Sequence, residues 1–166
     1  VSSPERHSPE RRGTPPRVND PVDAAIVREV SANARATLGH ISEAVGLSVS
    51  AVQSRLRRLE STGVIAGYHA TLDAEAIGRP LAAFVEITPL DPAQPDDAPE
   101  KLEHIESIEA CHSIAGDAAY LLQVRVATPR DLETLVNQIR QVAQVNTRTT
   151  VVLQTYYEGR AIPPVI

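Results

Sequence analysis

The densest grouping of side chains able to do chemistry lies in the run Ser48-Val49-Ser50-Ala51-Val52-Gln53-Ser54-Arg55-Leu56-Arg57-Arg58. A glutamine amide can pair with the major-groove edge of adenine, a serine hydroxyl with either base type, and an arginine with guanine or a phosphate. At helical spacing, Val49, Val52, Leu56 and Leu59 share one side of the segment. Ser50, Gln53, Ser54, Arg57 and Ser61 then take the opposite side, flanked by Ser48, Ala51, Arg55 and Arg58. Small residues at the N-terminal end let such a helix sit deep in a major groove, and Arg57 and Arg58, one turn further on, are placed to hold phosphates. An arginine-bearing helix alone describes a solvated surface equally well, so the preceding elements decide between the two.

Those elements are two further helical segments. The first opens at Asp20-Pro21, with Asp as N-cap, Pro at the first helical position and Asp23 in the first turn. Val22, Ile26 and Val30 recur every four residues along it. The second opens at Thr37 as N-cap, buries Leu38, Ile41 and Val45, and ends at Gly46 as a left-handed residue. Only Gly46-Leu47-Ser48 separates it from the arginine-bearing segment, where Ser48 is the next N-cap. Two helices joined by so short a glycine turn form a helix-turn-helix, with Leu47 plugging the angle. Arg35, between the first two helices, suits either a phosphate contact or a cap for the first helix; it and Thr37 join the candidate DNA contacts. Gly63 ends the third helix. Residues 64–72 are β-prone and suit a wing or connecting strand, and 73–78 read as one capped turn.

The second half has another rhythm. Alternation predicts strands over 81–88, 108–115, 120–127 and 148–155, with helices over 99–105 and 131–144. The order βαββαβ is the ferredoxin-like arrangement, an antiparallel sheet with helices on one face. Phe84, Leu121 and Val152 fall on the other face, an apolar surface suited to self-assembly. The fold class is α+β: a disordered tail (1–18), a helix-turn-helix (19–63), a wing or linker with a turn (64–79), a ferredoxin-like domain (80–156) and a C-terminal tail (157–166).

A net charge of −5 argues against a DNA binder until it is divided by segment. Residues 19–70 hold five arginines against five acids, whereas residues 71–166 hold seven basic residues against fourteen acidic ones, so the excess belongs to the second half. Phosphates respond to the local field within a Debye length of about 8–10 Å. No apolar run approaches a membrane span, the N-terminus has no signal-peptide core, and one cysteine makes no internal disulfide, so a cytoplasmic location is expected. The five histidines and Cys111 show no metal-ligand spacing, and there is no phosphate loop or nucleophile elbow. Neither a metal nor a cofactor is expected. Cys111 and His112 are adjacent and so point to opposite sides of a strand, His112 sharing its side with Ile108, Ala110 and Ile114.

Taken together, Asp20-Pro21-Val22-Asp23, Arg35-Ala36-Thr37-Leu38, the stretch Gly46-Leu47-Ser48 through Leu59-Glu60, and Gly63-Val64-Ile65-Ala66-Gly67-Tyr68 resemble the Lrp/AsnC family over about residues 20–156. The resemblance implies a non-enzymatic, amino-acid-responsive transcription regulator. It implies double-stranded DNA as partner, bound through Ser48 to Arg58, and dimers formed through the C-terminal sheets that assemble further, commonly to octamers. It also implies an effector pocket between dimers, around the turn Ala115-Gly116-Asp117-Ala118-Ala119-Tyr120. The family often has Asp just before the aromatic residue, where this chain has Ala119; the Gly116–Ala118 backbone remains available to a carboxylate or amine. A plain hairpin connection, and an architectural DNA-wrapping protein that binds no effector, are the alternatives. Some tetrapyrrole decarboxylases resemble the same two-domain build; His69, His112 and Arg125 would be the side chains available for that chemistry.

Overall fold

The computed structural model of the chain describes residues 17–91, 93 and 96–165; the expected disordered tail lies outside them up to position 16. Two compact units emerge, one running to Ala70 and joined by 157–165, the other Thr71–Tyr156.

The first unit is three helices: α1 (Pro21–Ala32), α2 (Leu38–Val45) and α3 (Val49–Ser61). Each begins where a side-chain oxygen accepts otherwise unpaired backbone N–H groups. Asp20 accepts from Val22 and Asp23, Thr37 from His40, and Ser48 from Ala51. Gly46, with φ of 69°, reverses the chain after α2, and the Leu47 N–H bonds back to the Ser42 carbonyl. Ile26, Val30, Ile41, Val52 and Leu59 close the core, with Leu47 and Leu56 packed against it. Val49 departs from the expected apolar side: as the first residue of α3 it starts ahead of the contact with the other helices and is 47% exposed. Residues 64–72 also differ from expectation, forming no strand. A β-prone run becomes a strand only when a second one completes its ladder, and the backbone bond here is from the Ile65 N–H to the Leu59 carbonyl.

The second unit contains β1 (Leu81–Pro89), α4 (Ala98–Leu102), β2 (Ile108–Ser113), β3 (Tyr120–Val126), α5 (Pro129–Ala143) and β4 (Val145–Val151). The sheet is antiparallel in the order β2-β3-β1-β4. One face, carrying Ala83, Val85, Ile87, Leu122 and Val124, is covered by Leu102 of α4 and by Leu132, Leu135 and Ile139 of α5. Thr128 and Asp131 form a reciprocal capping box that starts α5.

Two details depart from the sequence expectation. The last strand is Val145–Val151, not 148–155: Gln144 adopts φ of 54° and turns the chain straight out of α5 into the sheet, and the ladder with β1 ends where Val151 pairs with Ala83. In β2 the register slips between Ile108 and Ala110. The extra residue at this bulge puts Ile108 opposite Val124, on the helix-covered face, whereas His112 sits opposite Leu121 on the other. Ile108 therefore packs with the core, and His112 shares a face with Ala110 but not with Ile108.

Candidate nucleic-acid interface and effector turn

The geometry of α3 follows from its burial. Val52 and Leu59 are sealed against α1 and α2, which turns Ser50, Gln53, Ser54 and Arg57 to the surface. Ser48 and Thr37 are exposed as well, each spending its oxygen on an N-cap at 3.2 Å and keeping a hydroxyl proton to donate. The Ser48 and Ser50 hydroxyls stand 3.2 Å apart. Ala51 is half-buried. Arg35 is exposed, and the C-cap of α1 is Asn33, whose side chain accepts the Arg35 N–H at 3.0 Å. The Arg35 guanidinium thus does not serve as the cap.

Arg55 and Arg58, the expected flanking contacts, each meet carboxylates at the start of α1. Arg55 Nη1 donates to Asp20 Oδ2 at 2.9 Å and to Asp23 Oδ1 at 2.7 Å. Arg58 Nη2 bonds the other Asp23 oxygen. The Asp23 side chain is only 7% exposed, and it is the one buried charged residue among those described. The hydrogen bond from Arg55 holds the Asp20 carboxyl below its ordinary range, and Asp23 and Asp20 raise Arg55 in turn. Sequence reasoning missed this cluster. The acids, Asp20 at the N-cap of α1 and Asp23 in its first turn, and the arginines on α3 are each three apart, but neither spacing by itself pairs the two segments.

The candidate effector turn is divided between the two faces of the sheet. Asp117 and Ala118 line a surface cavity of about 210 Å³, together with Glu86, Thr88, Asn146 and Arg148. Ala115 and Gly116 are exposed and Ala119 is half-buried. Tyr120 points instead into the helix-covered core, 8% exposed. Its hydroxyl is pushed up to about 12, chiefly by donation to the Asp96 carboxylate and then by burial. Arg148 reaches Glu86 at 4.0 Å, so the cavity carries charges of both signs.

The side chains considered for tetrapyrrole chemistry are divided between the two compact units. His69 belongs to the first unit, whereas His112 and Arg125 belong to the second, where Glu109 holds Arg125 at 2.7 Å. Among the described residues no cluster of His, Cys, Asp or Glu could hold a metal, and no helix is long and apolar enough to cross a membrane.

Comparison with known proteins matches residues 19–66 to the winged helix-turn-helix DNA-binding model and residues 82–162 to the Lrp/AsnC ligand binding domain. The HTH-type transcriptional regulator LrpA of Mycobacterium tuberculosis is 57% identical over 141 residues, covering 85% of this chain and 94% of that protein. The chain belongs to the Lrp/AsnC family. The leucine-responsive regulatory protein of Haemophilus influenzae is 36% identical, with 81% of this chain and 84% of that one aligned. In three dimensions, a feast or famine regulatory protein from M. tuberculosis complexed with L-methionine superposes with a TM-score of 0.86 at 56% identity, covering 87% and 99% of the two chains. This Lrp/AsnC chain is a transcriptional regulator with a DNA-binding and a ligand-binding domain, and its relatives are named as regulators, not as enzymes.

Proposed function

We propose that this regulator reads duplex DNA with the exposed side of α3 and answers to an amino acid bound between dimers. Ser50, Gln53 and Ser54 meet base edges, with Ser48 and Ala51 admitting close approach. Arg57 holds a phosphate on α3, and Arg35 and Thr37 hold the flanking backbone. Val49, exposed one turn before Gln53, adds an apolar contact of the kind a thymine methyl accepts. The supporting observation is the division of α3 itself, with Val52 and Leu59 buried in the core and Ser50, Gln53, Ser54 and Arg57 exposed.

In this reading the open sheet face, with Phe84 and Leu121, forms the dimer, and dimers assemble further towards an octamer in the cytoplasm. The effector lies at Ala115–Tyr120, where Asp117 and the cavity beside it offer a carboxylate to an ammonium and Arg148 a guanidinium to a carboxylate. The L-methionine complex of the M. tuberculosis relative supports an amino acid as the ligand class. Binding there would change the spacing of linked reading heads and hence which half-sites are held together.

The test of DNA reading is a gel shift with the fragment upstream of the protein's own gene. The pair Gln53→Ala with Arg57→Ala abolishes the shift while native mass is unchanged; retained binding defeats the assignment. One observation favours the ligand-independent DNA wrapper, namely Ala119 where the family often carries Asp. Calorimetry with an amino-acid panel separates the two: the regulator gives binding heat that Asp117→Ala reduces, and the wrapper gives none.

A further inference from the structure

We propose that Asp23 is a specificity-determining residue of DNA recognition, an internal counter-anion that withholds Arg55 and Arg58 from DNA phosphates. This rests on the reading of α3 as the DNA-facing helix. Three arginines lie on that helix within four positions, yet their environments differ. Arg57 is exposed and has no ion-pair partner among the described residues, whereas Arg55 and Arg58 share the two oxygens of one carboxylate. Asp20 adds a second carboxylate to Arg55.

The geometry favours retention of both arginines when DNA arrives. Transferring a guanidinium to a phosphate exchanges one ion pair for another, but it strips a partner from a carboxylate that water barely reaches. A phosphate contact on the exposed surface returns less, being screened by salt. Arg58, itself 57% exposed, would otherwise be well placed for the backbone. Asp23 thus lowers the sequence-independent phosphate term of α3 to the share carried by Arg57. The base contacts of Ser50, Gln53 and Ser54 are left as a larger part of the whole.

The salt dependence of binding counts phosphates neutralised, with a slope of log affinity against log salt near −0.9 per contact. The measurement is fluorescence anisotropy of the full chain on a labelled random-sequence duplex, from about 50 to 200 mM salt. Expected values, per reading head, are a slope shallower by about one for Arg57→Ala and unchanged for Arg58→Ala. Asp23→Asn steepens the slope by about one or two. In the Asp23→Asn background, Arg58→Ala then removes about one unit, which mere loss of a nearby negative charge would not produce. If Asp23→Asn does not fold, as circular dichroism will show, the comparison of Arg57→Ala with Arg58→Ala decides alone. Equal losses for Arg57→Ala and Arg58→Ala overturn the proposal. So does a folded Asp23→Asn protein with the parental slope, or one whose steeper slope survives Arg58→Ala. A slope indifferent to Arg57→Ala is a separate failure, of the α3 reading itself.

Discussion

Asp20 and Tyr120 show how a single side chain ties the fold to pH. Asp20 caps α1 through one oxygen and meets Arg55 with the other, which stabilises its charged form. Its contribution is present above the usual carboxylate range and is lost as the pH falls through its lowered value. Asp20→Asn keeps the cap, since Asn serves there as well as Asp. The expected outcome in urea titrations is therefore a flatter acid limb with little change in helix content. Tyr120 acts at the other end of the scale. Donation to Asp96 and burial favour its neutral form and raise it from 10.0 to about 12. The stability it adds is complete below pH 10 and declines as the pH rises towards 12. Tyr120→Phe should cost about 1 kcal/mol near neutrality, because exposed Asp96 regains water, and should remove the alkaline decline over that interval.

At the scale of the element, starts and stops were legible because they are local. Asp20, Thr37, Ser48 and Gly46 announce their caps to their own neighbours within four residues, and all four take those positions in the structure. The capping box of α5 is of the same kind, and Thr128→Ala should lower unfolding stability by about 1 kcal/mol, read as a shifted urea midpoint at constant slope. Features set by distant residues were not legible. The β-prone run 64–72 lacks a ladder partner, β4 starts at Val145 because Gln144 adopts a left-handed conformation, and the β2 bulge returns Ile108 to the core. The candidate site divides along the same line. The exposed stripe Ser50, Gln53, Ser54, Arg57 follows from helical period alone. The capture of Arg55 and Arg58 needs α1 to lie beside α3, which no periodicity in either segment states. Tyr120, by contrast, was legible: strand alternation alone groups it with Leu122, Val124 and Val126, and all four lie in the core.

For the whole molecule, charge is divided by role. The acidic excess sits in residues 71–166, and the three-helix unit is balanced, with Arg35 and Arg57 exposed on its surface. The proposed function requires self-assembly as well as DNA binding, and the sheet face bearing Phe84 is the surface we propose for it. Phe84→Glu, which buries a charge if that face pairs with a second copy, should reduce the native mass to that of a monomer and weaken DNA binding through lost avidity. An unchanged mass would send the interface elsewhere. In the proposed function the exposed side of α3 lies against DNA, and arginine footprinting tests this without any substitution. The protein is treated with an arginine-specific dicarbonyl reagent, with and without the duplex from upstream of its gene, and each site is read by mass spectrometry. Arg57 should be protected by DNA while exposed Arg130 of α5 reacts as before; equal modification of Arg57 in the two samples would contradict it.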